Sequence, residues 1–257
     1  EDVEQIIENH PENLQILFTQ AVAQLYQVVE TPYPVYFDQA LNCIRILSRV
    51  VPTLIQNDCD FVQNLLWSRQ LISVPAENGA AAGESKQETE PLAVILVNTL
   101  FHLLFIPEFT IGDPNADFSE ADVNSPEFKA ALMWAPGVGS IEKSVNVSSQ
   151  YDRTRVEVLR LMVACFCDSL FQSPDGFDSC HSLWLEVATS VDTPYAEVVF
   201  CSLLNTALGY DPIGWGLPYG NLVSSDTAKE LSQAAIQALI ILLDYGHPLV
   251  PLDTEAG

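Results

Sequence analysis

The chain has 257 residues, 48% of them hydrophobic and 17% charged, enough apolar material to bury one large core or two modest ones and too much for an intrinsically disordered chain. Its 10 Lys+Arg stand against 34 Asp+Glu, a formal charge of -24. So acidic a surface repels phosphate backbones, which excludes nucleic-acid binding as a primary role, and it disfavours docking of the bare protein on an anionic leaflet.

The sequence opens at Glu1 with a polar stretch, without a signal peptide or an initiator Met. The true N-terminus, with any lipidation signal, is expected upstream. From Glu12 to Val29, Leu14, Leu17, Phe18, Val22, Leu25 and Val29 recur at i, i+3, i+4 spacing and predict an amphipathic helix ended by Pro32 and Pro34. A second stripe from Tyr36 to Gln56 predicts another, with Pro52 removing an amide and kinking it. Asp60 to Trp67 reads as a short helix capped by Asp58 or Asp60.

Residues 74–90 ("VPAENGAAAGESKQETE") lose all large apolar side chains, so no core surface offsets the entropy of ordering them. They read as a flexible acidic linker between an N-terminal helical part (1–73) and its continuation (91–257). Pro91 opens "LAVILVNTLFHLLFI", a run apolar nearly all round that neighbours must cover on several sides and that is too short and interrupted to span a bilayer. It is the expected central helix of the first half. Residues 107–150 are loop-like, with one helical piece near Glu127 to Met133 and a short "FTI" able to pair weakly. Helices are expected again at Gln150 to Phe171, Leu183 to Thr189, Pro194 to Leu208 and Asp226 to Leu243, the last capped by Ser225 or Asp226, with a second long loop at 208–224. Strand periodicity is lacking. The fold class read from this is all-α: an irregular α-solenoid of HEAT or armadillo type with seven to nine helices, although no fixed repeat period is visible.

Chemistry-bearing motifs are scarce. His10, His102, His181 and His247 are scattered, and Cys165 and Cys167 on one helix point about 200° apart, so Cys165, Cys167 and Cys180 read as core thiols rather than as a metal set with His181. The six cysteines sit mostly in apolar helical runs and suit a reducing compartment. "APGVGS" at 135–140 lacks the strand and lysine of a phosphate loop, and "GWGLPYG" at 214–220 breaks dinucleotide-binding spacing, so both read as turns in which glycine supplies positive φ. Asn146-Val147-Ser148 matches a glycosylation acceptor but carries little weight in a chain read as cytosolic. No catalytic residue, metal ligand or cofactor site is expected. "YDPIGWGLPYGN" at 210–221 sets Tyr210, Trp215 and Tyr219 in a rigid Gly- and Pro-rich loop, and Trp134 lies in "MWAPGVG". Two readings stand for these four aromatics: rings folded onto helix ends, or candidate partner-docking residues.

The segments "ALNCIRILSRVVP" (Ala40 to Pro52), "LFIPEFTI" (Leu104 to Ile111), "MWAPGVG" (Met133 to Gly139) and "LLNTALGYDPIGWGLPYGNLVSSD" (Leu203 to Asp226) occur in the order of the high-temperature-induced dauer-formation family of eukaryotic Golgi proteins. The chain resembles that family across nearly its whole length, most of all a fungal member. Members are several times longer, so the resemblance implies an N-proximal segment. It further implies a non-enzymatic scaffold on the cytoplasmic face of the Golgi and trans-Golgi network, sorting cargo into secretory vesicles through contacts with other trafficking proteins. Membrane association would be peripheral, through upstream sequence or partners. Two alternatives remain at this point: an enzyme with an acidic pocket between helices, and a purely structural solenoid segment.

Overall fold

Apolar residues spaced at three and four along the chain can be covered only if helices pack side to side, and the computed structural model meets that requirement with helices packed around one core. Described here are residues 3–69, 90–112, 125–140, 149–171, 181–210 and 226–245. They contain ten α-helices: α1 (Val3–Asn9), α2 (Pro11–Glu30), α3 (Phe37–Gln56), α4 (Asp60–Trp67), α5 (Leu92–Leu103), α6 (Pro126–Leu132), α7 (Ser149–Cys165), α8 (Leu183–Ala188), α9 (Ala196–Gly209) and α10 (Asp226–Asp244). Among these residues there is no strand, only isolated bridges at Arg69–Pro91 and Pro107–Ile111. The chain is all-α, as the periodicity predicts. The expected linker at 74–90 lies outside the described residues except for Glu90.

Among the long helices, α2 packs on α3 and α5, α3 on α7, and α7 on α10, which also packs on α9; α5 and α7 meet less extensively. Short α4 and α8 lie on α5, where Trp67 and Trp184 meet edge to face at 5.3 Å, and α6 packs on α9. α5 touches α2, α4, α7 and α8, which accounts for a helix that buries Leu92, Leu96, Val97, Leu100, Phe101 and Leu103 around its circumference. Helices on both sides of the 74–90 segment therefore share one hydrophobic core.

Helix ends differ from the sequence expectations in physically legible ways. α1 is an additional helix where the sequence reads as a polar stretch, since Val3, Ile6 and Ile7 are three apolar positions that pack against the core. α3 continues through Pro52 to Gln56. α4 starts from Cys59 without a side-chain cap; Asp58 instead accepts a hydrogen bond from the Gln63 side-chain amide. Ser125 and Ser182 are the side-chain caps, accepting from the Phe128 amide (3.0 Å) and the Leu185 amide (3.1 Å).

α5 ends at Leu103, three residues before the expected end, because buried Thr110 folds back on it. The Thr110 hydroxyl donates to the Leu103 carbonyl (2.7 Å) and accepts from the Ile106 amide (3.0 Å). "FTI" is thus part of a helix-terminating turn, with Glu108 at φ 61°. α7 stops at Cys165 and is followed by a 3-10 turn at Asp168–Phe171, so the expected single helix to Phe171 is two pieces. The N-terminal cap expected at Ser225 lies outside the described residues.

Leu96 and Ile16 are contrasting probes of this packing, the first fully buried in α5 and the second 61% exposed on α2. Leu96→Ala is expected to lower unfolding free energy by about 2–5 kcal/mol. Ile16→Ala is expected to change it by no more than about 0.5 kcal/mol. Urea titration followed by circular dichroism measures both.

Candidate functional site

The best-defined irregular region is the loop 133–140, held against the last turns of α9. Asn205 of α9 donates through Nδ2 to the carbonyls of Ala135 (3.2 Å) and Val138 (3.0 Å), and its Oδ1 accepts from the Val138 amide (2.8 Å). One buried side chain thus replaces the backbone partners that an irregular segment lacks. The glycines follow from the closeness of this approach. Gly137 has φ 149° and a Cβ there would fall 2.4 Å from Asn205 Oδ1; Gly139 has φ 75° and a Cβ there would fall 2.9 Å from Met133 Cε. The Gly137 amide donates to Ser140 Oγ (2.7 Å) and the Val138 amide to Asn205, so amides that a phosphate would need are already bonded internally. The turn reading of this segment holds.

Trp134 is 3% exposed, so its ring packs inside the protein and offers no docking face in this arrangement. Its indole Nε1 donates to Thr206 Oγ1 (2.9 Å), and its ring lies 5.6 Å from that of Phe105. Phe105 in turn meets Tyr195 at 5.3 Å, and Tyr195 stands edge-on to His102 at 5.1 Å. Burial pushes the His102 pKa down, against the smaller opposing pull of Glu30, which favours the neutral imidazole inside this aromatic group.

Sequence reasoning missed the charge at the centre of the cluster. Arg155 of α7 is fully buried, with its guanidinium carbon 5.2 Å from the Trp134 ring centre and 6.0 Å from that of Tyr151. Its Nη1 lies 2.6 Å from Asp152 Oδ1. Burial pulls its pKa down to about 10, and Asp152 opposes that pull, so the group stays cationic at neutral pH. The available signal was Asp152 three residues before Arg155 at a helix start, but Arg153, which is exposed, stands closer still to Asp152 in the sequence.

Of the other named aromatics, Tyr210 is partly buried and caps the C-terminus of α9, one turn beyond Thr206. The structure therefore anchors Trp134 and Tyr210 to adjacent turns of one helix. Trp215 and Tyr219 lie outside the described residues.

Elsewhere, His181 Nε2 lies 2.9 Å from Glu186 Oε2, and Tyr245 Oη is 3.3 Å from His181 Nδ1. The Tyr245 pKa is raised by burial, then by Glu186 and Asp168, so this phenol keeps its proton and suits a hydrogen-bonded surface row better than a nucleophile. A cavity of about 270 Å³ is lined by Arg45, Ser48, Arg49, Glu157 and Arg160: three guanidiniums to one carboxylate, the reverse of an acidic catalytic pocket. Among the described residues no three His, Cys, Asp or Glu side chains are grouped to hold a metal ion. Cys43, Cys59, Cys165, Cys167 and Cys201 are free thiols, and Cys180 lies outside the described residues.

A family model described as High-temperature-induced dauer-formation protein matches residues 1–251. The chain belongs to this family. Protein HID1 of Mus musculus is 32% identical over 249 residues, which cover 95% of this chain and 31% of that protein. Protein HID1 of Dictyostelium discoideum is 34% identical over 162 residues, 63% of this chain and 18% of that protein. A Schizosaccharomyces pombe protein named Ubp5-interacting protein ftp105 is 31% identical over 152 residues, covering 58% and 15% respectively. The chain thus spans under a third of the length of the mouse relative. No solved structure matches it.

In this dauer-formation family member the resemblance segments have physical roles. "ALNCIRILSRVVP" lies within α3, "LFIPEFTI" closes α5, and "MWAPGVG" is the loop bonded to α9. The part of the fourth segment within the described residues runs along α9 to Tyr210 and carries Asn205 and Thr206, the partners of the third.

Trp134→Ala is expected to cost about 3–5 kcal/mol of stability, the range for deleting a buried aromatic. Asn205→Ala is expected to cost about 1–3 kcal/mol by stranding buried loop groups. Chemical denaturation distinguishes both from the small effect of truncating a surface residue. The Cys167 thiol is pushed up to about 11 by burial and Asp168, and burial in the core also raises Cys165 well above the ordinary thiol value. Alkylation of Cys167 in the native protein is therefore expected to be slow at pH 8 and to accelerate with pH toward 11; mass spectrometry of the Cys167 peptide measures this.

Proposed function

We propose that this chain is a non-enzymatic helical scaffold segment that acts by binding other proteins in Golgi and trans-Golgi vesicle trafficking, including the sorting of cargo into secretory vesicles. Its architecture is read as an irregular α-solenoid of HEAT or armadillo type. The observation that carries this reading is the side-to-side stacking of α2, α3, α7 and α10 in a member of the dauer-formation family. A helical array of this kind offers extended surface to partners. One relative is named for an interaction, with Ubp5, which agrees with action through protein contacts.

The proposed location is the cytoplasmic face of the Golgi, with membrane attachment peripheral and supplied by other sequence or by partners. Among the described residues no helix is long and apolar enough to cross a membrane. The docking residues of this reading are Tyr210, Trp215 and Tyr219 of the segment 210–221, and buried Trp134 has a packing role, donating to Thr206.

The full-length protein carrying Trp215→Ala and Tyr219→Ala is expected to lose recovery of trans-Golgi proteins in proximity labelling while melting at the parent temperature. Unchanged recovery together with a lowered melting temperature would assign these rings to packing and remove the docking surface.

A further inference from the structure

Within the stack α7 is covered on both flanks, by α3 and by α10, and its buried residues occupy most of its circumference. α10 packs mainly against α7 and α9 and buries Leu231, Ala234, Ala235, Ala238 and Leu239. Its remaining surface is mixed: Lys229, Glu230, Gln233, Gln237 and Asp244 are exposed, and beside them in the C-terminal half stand three apolar side chains. Ile236, Ile240 and Leu243 are 42%, 62% and 66% exposed, and at about 100° per residue they fall within an arc of about 60°. The adjoining helix α9 leaves Phe200 and Leu208 exposed, the latter at 74%. Single exposed apolar residues are ordinary, but a stripe repeating at i, i+4 and i+7 is the pattern that elsewhere in this chain marks a face covered by another helix.

We infer that the outer stripe of α10, with Phe200 and Leu208 of α9, is the seat of the next helical layer of the longer family protein. The inference rests on the order of helix packing above and not on the trafficking role. Three observations choose this occupant. Each earlier long helix of the stack is covered by a later one, α3 by α7 and α7 by α10. The chain spans 31% of the mouse relative, so the family's full-length form has ample sequence to supply a further layer. A second copy of this chain would bring another formal charge of -24 toward the first, whereas a segment of the same polypeptide arrives at high effective concentration.

The test uses full-length protein with Ile240→Cys, or with Val191→Cys in the α8–α9 connection, where Val191 is 99% exposed. Maleimide labelling of each new thiol is followed by peptide mass spectrometry. The Ile240→Cys thiol is expected to label at least about tenfold more slowly than Val191→Cys, and equally slowly at every protein concentration, because the cover is intramolecular. Labelling at comparable rates overturns the inference, since the stripe then faces solvent. Shielding that disappears on dilution also overturns it, in favour of a second copy or a separate partner. Loss of partner recovery by the Trp215 and Tyr219 variant leaves these rates unchanged, so failure of the docking surface and failure of the inference are read separately.

Discussion

The constraint on which the stack turns is a positive charge placed inside it. Arg155 is fully enclosed on α7, the helix that packs between α3 and α10. A buried guanidinium must be compensated, and it is compensated locally: by Asp152 one turn away, by the face of Trp134 and by Tyr151. Those partners in turn have obligations. The Trp134 indole N–H requires an acceptor, which Thr206 provides, and the loop that delivers Trp134 requires hydrogen bonds, which Asn205 provides. A single buried cation on α7 is therefore linked, through Trp134 and its loop, to the last turns of α9. Replacing the ion pair by apolar residues of similar volume is not equivalent, because the indole and the loop also take their positions from it.

The same chain of dependence explains the aromatic group at the foot of α5. Phe105 lies just past the end of that helix, where Thr110 stops it, and so comes between Trp134 and Tyr195. Tyr195 takes a left-handed backbone conformation, φ 54°, to start α9. Such a conformation is unfavourable for a tyrosine, and the contacts of its ring with His102 and Phe105 offset the cost. The residues that end α5 are thus the contact surface for the start of α9.

Most of the helices were legible in the sequence because a greasy stripe at three- and four-residue spacing has one economical solution. Pro11–Glu30, Phe37–Gln56, Asp60–Trp67 and Ala196–Gly209 lie close to where the periodicity puts them. The misses fall where the deciding contact is distant in sequence. α1 has only three apolar residues and is held by core it does not contain. The end of α5 depends on a threonine seven residues beyond Leu103. Asp58 was a plausible cap, but its carboxylate is engaged by Gln63. The candidate site was legible as a set of unusual segments, since tryptophan beside paired glycines announces a fixed loop. Whether Trp134 faces inward was not, because that depends on Asn205 and Thr206, about seventy residues away.

Composition and spacing alone determined that this is an acidic, helical chain with a buried central helix, because net charge and periodicity are local or summed properties. The order of helix pairing, the enclosure of Arg155 and the inward turn of Trp134 were decided only by tertiary structure. Arg153 and Arg155 illustrate the reason. They sit two positions apart with similar neighbours, yet on a helix they point about 200° apart, so one meets water and the other an indole from a different part of the chain.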